Sequence, residues 1–277
     1  FPTSSVFTVG TDSTVNANGG LYVAYIFAGG ASTAATAKSV NFDDTDGSDD
    51  YLSFASNAAF QLGTGDFTVE FWWKANQTTQ NNYQQIIGTQ SVGGTDSGIW
   101  RIGTKTSSNQ VYFSSATGSG FDEPSWNVDV NDMQWHHIAI TRASGYVYCY
   151  VDGVKLVNSG GTNNITRSLT TNNSLFIGHN ERDGNYIKGK LSNVRIVKGT
   201  AVYTSSFRPT YEPLTNITNT TLLCCNNSSV TGGTVIPVTP TSFGNTSAST
   251  DSPFDDPEGF KFGEEGDQNI IKCGSYT

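Results

Sequence analysis

An acidic run from Asp43 to Asp50 contains the residues best suited to chemistry. Five of its eight residues are aspartate, and Gly47 and Ser48 among them favour a turn. Carboxylate oxygens crowded on such a loop suit Ca²⁺, which takes about six to eight oxygen ligands. The candidate calcium ligands are Asp43, Asp44, Asp46 and Asp49, with Asn193 completing the site if its side chain lies near this loop. The loop is not an EF-hand, because aligning Gly47 with the glycine of that motif puts Phe42 at the first ligand position. The alternative is a solvated, turn-forming loop without a metal.

A second group of polar and aromatic residues lies between His179 and Tyr186. This short segment offers imidazole, amide, guanidinium, carboxylate and phenol groups that could bind a sugar. Loops carried on a rigid scaffold are the usual place for recognition. The candidate ligand-binding residues are His179, Asn180, Arg182, Asp183, Asn185 and Tyr186, together with Trp72. For the loop, an ordinary turn is the alternative.

Composition limits the possible functions. The 277 residues have a net charge of -9 and a pI near 4.7, with no cluster of Lys or Arg, which argues against nucleic acid as a partner. No apolar stretch approaches the roughly 20 residues of a membrane-spanning helix, so membrane insertion is not expected. The cysteines Cys149, Cys224, Cys225 and Cys273 lack zinc-site spacing and are predicted to be free, mostly buried thiols.

The elements that must position these residues are strands. Residues 66–74 alternate, with Phe67, Val69, Phe71 and Trp73 on one face and Trp72 on the other. Two hairpins are predicted, turning at Ser144-Gly145 and at Asp152-Gly153. Further strands are predicted within residues 85–88, 99–102, 110–114, 175–177 and 190–197. Long helical periodicity is missing, so an all-β antiparallel sandwich or jelly roll is predicted.

Three regions of the chain differ in composition and in the density of predicted strands. Residues 1–37 are interpreted as the end of a preceding β-rich module plus a linker. Residues 38–226 are dense in predicted strands. Residues 227–277 are interpreted as an extended Ser/Thr/Pro/Gly linker followed by the first strand of another module. Because the chain begins at Phe1 and ends just after a predicted strand, it is expected to be part of a longer polypeptide.

The order of several short phrases in residues 38–226 resembles the laminin-G-like, concanavalin A-like lectin/glucanase superfamily. The phrases are Val40-Asn41-Phe42-Asp43, Asp49-Asp50-Tyr51-Leu52, Asp66-Phe67-Thr68-Val69-Glu70-Phe71-Trp72, Trp135-His136-His137-Ile138-Ala139, Val151-Asp152-Gly153, Leu175-Phe176-Ile177-Gly178 and Leu191-Ser192-Asn193-Val194-Arg195-Ile196. The resemblance implies a concanavalin A-like β-sandwich. It also favours calcium at the acidic run, since relatives often bind that ion.

A narrower resemblance is carried by the segment from Val194 to Tyr203, by Phe207-Arg208-Pro209 and by Thr221-Leu222-Leu223-Cys224-Cys225. It is similar to laminin-G-like modules in structural proteins of tailed phages, particularly marine ones. This implies a fibre, spike or capsid-decoration protein on the virion surface, binding a host glycan or other virion proteins. A homo-oligomer is expected. The alternative is a purely structural virion protein without a ligand.

Catalysis is not expected. Glucanases of the resembled superfamily carry two carboxylates on one strand face, spaced as Glu-x-Asp-x-Glu or Glu-x-Asp-x-x-Glu, one acting as nucleophile and the other as acid. The nearest arrangement here, Glu181-Arg182-Asp183, lacks the second glutamate. A glycan hydrolase is therefore the least favoured hypothesis.

Overall fold

The computed structural model describes residues 22–27, 38–43, 49–78, 83–90, 97–180, 185–254 and 271–276. The chain divides into two compact units, residues 33–255 and a smaller one formed by residues 1–32 with 256–277. Among the residues just given, two short 3₁₀ helices occur, at Ala58–Phe60 and Thr106–Ser108. In the part of the chain that is described, no helix is long and apolar enough to cross a membrane.

Strands make up nearly all of the remaining regular structure. In chain order they are β1 (Tyr22–Phe27), β2 (Ser39–Phe42), β3 (Tyr51–Phe54), β4 (Phe67–Ala75), β5 (Tyr83–Gln90), β6 (Trp100–Lys105), β7 (Gln110–Ala116), β8 (Phe121–Asp122), β9 (Ser125–Asn127), β10 (His136–Ala143), β11 (Tyr146–Val151), β12 (Val154–Lys155), β13 (Ser174–Ile177), β14 (His179–Asn180), β15 (Asn185–Tyr186), β16 (Gly189–Lys198), β17 (Thr220–Cys224), β18 (Gly233–Val235), β19 (Thr241–Phe243), β20 (Ser247–Ser249) and β21 (Ile271–Tyr276).

Two antiparallel sheets form the larger unit. A nine-stranded sheet has the order β12-β11-β10-β4-β16-β17-β18, with β2 pairing with β16 and β20 pairing with β2. An eight-stranded sheet has the order β19-β3-β13-β5-β6-β7-β8, with β9 pairing with β7. The short β14-β15 hairpin stands apart from both sheets. The predicted all-β sandwich is confirmed.

The period-2 pattern of β4 explains how the core forms. Phe67, Val69, Phe71 and Trp73 are fully buried in the hydrophobic core, as their alternation predicts. Trp72 lies on the opposite face of the same strand. The core between the sheets also receives side chains from the eight-stranded sheet, among them Leu52, Phe54, Ile87, Ile102 and Phe113.

The two predicted hairpin turns join β10 to β11 and β11 to β12. Ser144 and Gly145 have φ of 52° and 85°, and Asp152 and Gly153 have φ of 49° and 76°. Two successive positive φ values match the right-handed twist of hairpin strands. They favour glycine, which follows Ser144 in the first turn and Asp152 in the second.

The C-terminal segment differs from the prediction. The composition of residues 227–254 predicts an extended linker, but in the structure β18 pairs with β17, β19 with β3, and β20 with β2. These strands are short and rich in Ser, Thr and Gly, so the hydrophobic pattern that signals a strand is missing. Likewise, the sequence predicts that β1 and β21 belong to separate modules, whereas in the structure they pair with each other.

Candidate functional site

Four aromatic rings stack on the outer face of the eight-stranded sheet, near its β19 edge. Tyr51 points outward from β3, because Leu52 beside it enters the core. The Tyr51 ring stacks on Phe243 of β19, with centroids 4.3 Å apart and an interplanar angle of 7°. On another side it contacts His179 at 4.6 Å, and His179 in turn stacks on Tyr186 at 4.6 Å and 2°. We call these four residues the aromatic stack.

The β14-β15 hairpin holds His179 in place. Gly178, with a φ of 91°, turns the chain from β13 into the hairpin. A Cβ at this position would lie 3.0 Å from the Phe42 ring and 3.2 Å from the Asp50 carbonyl, so glycine allows a close approach. The buried Gln90 amide donates to the His179 carbonyl at 2.6 Å. Burial lowers the pKa of His179, although the charge of Asp49 opposes this shift.

Two carboxylates, Asp43 and Asp50, lie at the same edge and form what we call the carboxylate pair. Asp50 is fully buried, and its Oδ2 accepts a hydrogen bond from the Asp43 backbone N–H at 3.0 Å. The Asn245 backbone N–H donates to Asp50 Oδ1 at 2.7 Å. With its nitrogen turned toward the carboxylates, the Asn245 side chain donates to Asp50 Oδ2 at 2.6 Å and to Asp43 Oδ1 at 3.2 Å. Asn245 lies just after Phe243, so the carboxylate pair and the aromatic stack share one rim of the sandwich.

The predicted metal ligands are only partly brought together. Asp43 lies in the carboxylate pair, Asp49 is exposed at the end of the acidic run, and Asp44 and Asp46 lie outside the described residues. Asn193 is elsewhere, which corrects the expectation that it completes the site. In the β2-β16 register, Leu191 faces Val40, so Asn193 lies at the other end of β2 from Asp43. Its buried side-chain oxygen accepts a hydrogen bond from the Leu214 N–H at 2.9 Å.

The donors at this rim are hard oxygen atoms, which suit calcium. Asp43 and Asp50 supply carboxylate oxygens and Asn245 an amide oxygen when its side chain is turned the other way. Across the described residues, no group of three or more His, Cys, Asp or Glu side chains is arranged for a metal ion. A cation here would therefore depend on amide, backbone or solvent oxygens in addition to the carboxylate pair.

The described residues of the predicted ligand-binding loop lie at the same rim. His179 and Tyr186 belong to the aromatic stack, and the backbones of Asn180 and Asn185 pair in the hairpin between them. Arg182 and Asp183 lie outside the described residues.

Trp72 is not at this rim, which corrects its grouping with the loop. It does face outward as predicted, but from the nine-stranded sheet, where its ring meets His137 at 5.2 Å and Phe254 at 5.6 Å. Its indole nitrogen is buried without a hydrogen-bond partner.

Sequence reasoning missed Tyr51, Asp50, Phe243 and Asn245 as members of the site. Asp50 is the last residue of the acidic run and Tyr51 directly follows it, so the position of that run could have indicated them. Phe243 and Asn245 lie in the segment interpreted as a linker, and their only signal is one aromatic residue among Ser, Thr and Gly.

A separate polar cluster lies on the outer face of the nine-stranded sheet. Glu70 is fully buried and accepts hydrogen bonds from Arg195 Nε at 2.9 Å and Nη2 at 2.6 Å on its Oε1. Its Oε2 lies 3.1 Å from His137 Nε2 and accepts the Tyr203 hydroxyl at 2.8 Å. Burial alone would raise the pKa of Glu70, but His137 and Arg195 outweigh it and hold that pKa below its ordinary value.

The segment after β16 covers this cluster. Residues 199–215, which we call the strap, place Tyr203 and Phe207 over it with their rings stacked at 3.6 Å. Burial and the neighbouring Glu70 raise the pKa of Tyr203. Both carboxylate oxygens of Glu70 are engaged by protein groups, so the cluster serves to hold the strap on the sheet.

His136 and His137 point to opposite sides of β10, as their adjacency predicts. Each has partners: His137 meets Glu70, and His136 lies between Asp132 and Asp152. The predicted free, buried thiols are confirmed for Cys149, Cys224 and Cys225. Cys273 is in β21, where side chains are not described.

Two packed antiparallel sheets define an all-β sandwich of the concanavalin A-like type. The sequence agrees, because the laminin-G-like profile of the concanavalin A-like lectin/glucanases superfamily matches residues 46–201, more than half of the chain. The chain therefore belongs to the concanavalin A-like lectin/glucanases superfamily. No curated protein sequence is significantly similar to it.

Solved structures share the fold at low identity. A protein from Bacteroides ovatus assigned as carbohydrate-binding is 18% identical, with a TM-score of 0.54 over 80% of this chain and 62% of that one. A heptameric SAP-like pentraxin from Limulus polyphemus is 16% identical, with a TM-score of 0.49 over 79% of this chain and 97% of that one. Domains LG4-5 of the mouse laminin alpha1 chain are 11% identical, with a TM-score of 0.40 over 62% and 45%. The first of these likenesses supports the fold alone.

Proposed function

We propose that the chain is a carbohydrate-binding module whose site is the rim formed by the aromatic stack and the carboxylate pair. The observation that carries the proposal is their proximity: Phe243 and Asn245 are two residues apart, and Asn245 contacts Asp50 directly. A sugar ring offers C–H groups that pack on an aromatic face and hydroxyls that donate to a carboxylate such as that of Asp43, the partly exposed member of the carboxylate pair. Phe243 is 39% exposed, so part of its ring remains open to a ligand.

Calcium is part of this proposal. Asp43, Asp50 and Asn245 would hold the ion, with further oxygens from the acidic run between Asp43 and Asp50. When bound, the cation would supply direct coordination of sugar hydroxyl oxygens. Without it, the Asn245 amide neutralises part of the carboxylate repulsion by donating to both acids. This second arrangement is the metal-free alternative.

Binding without hydrolysis is the proposed activity. Glycoside hydrolysis needs one carboxyl group to protonate the leaving group and another to act as nucleophile or base. On the described face of the nine-stranded sheet, Glu70 is fully engaged by Arg195, His137 and Tyr203. The carboxylate pair is also held by hydrogen bonds from Asn245 and from the backbone.

The proposed setting is the surface of a phage particle, as a fibre, spike or capsid-decoration protein. This part is supported by the resemblance of the segments from Val194 to Tyr203 and from Thr221 to Cys225 to phage structural modules. Many copies on one particle, in a homo-oligomer or beside other virion proteins, would turn weak sugar affinity into avidity. Labelling assembled particles with an antibody against this chain tests the setting, and a signal confined to unassembled protein would contradict it.

The direct test of function is glycan-array binding by the full chain, with and without calcium. Phe243→Ala removes the exposed end of the aromatic stack and is expected to weaken binding roughly tenfold, about 1.4 kcal/mol. Tyr211→Ala is the matched control, because Tyr211 is 43% exposed but lies on the strap. The absence of binding to any glycan on a broad array would favour a purely structural protein. Equal losses in both variants would place the site elsewhere, and sugar release from a bound glycan would contradict the proposal of binding without hydrolysis.

A further inference from the structure

His136, at the start of β10, has a carboxylate at each end of its ring. Nδ1 lies 2.8 Å from Asp152 Oδ2, and Nε2 lies 2.9 Å from Asp132 Oδ1. A neutral imidazole carries one N–H, so it can donate to only one of these acids. Its other nitrogen would then set a lone pair against a carboxylate oxygen. Both contacts are favourable only when the ring is doubly protonated.

The two carboxylates belong to different parts of the chain. Asp152 lies in the β11-β12 turn, which is tied down independently: its Oδ1 accepts the His137 N–H at 2.8 Å, and the Gly153 carbonyl accepts the Phe207 N–H at 2.8 Å. Asp132 lies in the connection between β9 and β10. We call residues 129–134 of that connection the latch loop.

The latch loop is connected to the core. The Asn131 side-chain oxygen accepts a hydrogen bond from the Trp73 indole N–H at 3.3 Å. The Asp132 carboxylate also caps the loop by accepting the Gln134 N–H at 2.9 Å. Met133 has a φ of 68° and is 46% exposed. Movement of the loop would therefore disturb a hydrogen bond made by the fully buried Trp73.

We propose that His136 is a proton-operated latch that holds the latch loop to the β11-β12 turn when its ring is charged and releases the loop as the pH rises. The acids facing the ring are Asp132 and Asp152. Lys74 and Asp251 contact the neighbouring Trp135 instead.

The geometry sets the direction and size of the effect. Burial alone would lower the pKa of His136, but hydrogen bonds and charge from Asp152 and Asp132 raise it to about 8. In a released loop the imidazole loses Asp132 but keeps its contact with Asp152 on the β11-β12 turn, so its pKa falls from about 8 only part of the way toward the ordinary value of about 6.5. The ratio of closed to released loop is then constant at low pH and falls by about fivefold as the pH rises through 8, since only the Asp132 share of the shift is lost on release.

Histidine NMR titration of the full chain, combined with hydrogen exchange, tests the latch. The His136 resonance is assigned by its loss in His136→Gln, and its midpoint is expected near 8. Exchange protection of latch-loop amides, corrected for the intrinsic pH dependence, is expected to fall by about fivefold between pH 6 and pH 9.

Two variants separate a latch from a passive histidine. Asp132→Asn removes the loop carboxylate and should move the midpoint down toward 6.5. His136→Gln should abolish the pH step in protection. The control Glu212→Gln, an exposed acid on the strap, should change neither. A wild-type midpoint near 6.5, or a protection step that persists in His136→Gln, would overturn the proposal.

Discussion

Replacing Glu70 with glutamine tests whether the buried ionic cluster holds the nine-stranded sheet and the strap together. The substitution keeps the size and shape of the side chain but removes its charge. Arg195, only 4% exposed, would keep its positive charge without a neutralising partner. An amide also has one acceptor oxygen in place of two, so Arg195, His137 and Tyr203 can no longer all be satisfied.

The magnitude follows from burial. Removing one partner of a buried ion pair generally costs about 3–5 kcal/mol, because the other charge is left uncompensated. Glu70 and Arg195 share two hydrogen bonds, at 2.6 and 2.9 Å, so Glu70→Gln should fall in that range. At about 2–4 °C of melting temperature per kcal/mol for a domain of this size, the drop is roughly 10 °C.

Urea denaturation followed by fluorescence measures the free energy of unfolding. The double variant Glu70→Leu/Arg195→Met is the matched control, because it removes both charges and leaves apolar groups of similar volume. It should regain much of the stability lost in the single variant. A loss below about 1 kcal/mol in Glu70→Gln, or a double variant less stable than the single one, would refute the view that an unpaired buried charge determines the cost.

Three further changes have defined outcomes. Arg142→Met should destabilise the fold by about 3 kcal/mol in urea denaturation, since the fully buried guanidinium donates to the carbonyls of Gly63, Gly65 and Arg167; a loss within error of zero would contradict this. Asn193→Ala should lower the free energy of unfolding by about 3 kcal/mol, because it leaves the Leu214 N–H without an acceptor and places alanine at a φ of 53°. Asn193→Gly loses the same hydrogen bond but avoids the backbone strain, because glycine adopts a positive φ easily, so it should destabilise the fold less. The pKa of His136 is raised to about 8, so protonation of this ring stabilises the folded state fully below pH 6.5. This contribution of about 1 kcal/mol after solvent screening is lost as the pH rises through 8. The free energy of unfolding of wild type and of His136→Gln should therefore change differently between pH 6 and pH 9, and equal slopes would contradict this prediction.

Much of the sandwich could be predicted because its strands carry local signals. The alternation in β4 identified the buried faces of Phe67 to Trp73, and Asp152-Gly153 predicted a turn that needs positive φ values. The C-terminal strands have no such signal. β19 and β20 lie at sheet edges with exposed Ser and Thr side chains, so backbone pairing to β3 and β2 defines them rather than hydrophobic burial.

The candidate site could be predicted only in part, for a related reason. His179 and Tyr186 are close in sequence, and their residue types indicated recognition. The contact of Asp50 with Asn245 joins residues 195 positions apart, and no spacing rule connects them. Asn193 would complete the calcium site only if its side chain lay near the acidic run, but the register of β16 against β2 places it at the opposite end of β2. Strand register, which depends on tertiary packing, decides which polar residues meet.

The different coverage of the two outer faces explains why recognition is proposed at the rim. On the nine-stranded sheet the strap covers Glu70, Phe254 packs on Trp72, and Asp251 binds Lys74 Nζ at 3.0 Å. A ligand could reach that face only by displacing parts of the chain that are already paired, and this displacement would oppose binding. At the β19 edge of the other sheet, Phe243 stacks on Tyr51 through one side of its ring and still leaves 39% of its surface exposed. An exposed aromatic ring already fixed by its neighbour loses little conformational entropy when a sugar packs against it, so binding at this rim costs the least rearrangement.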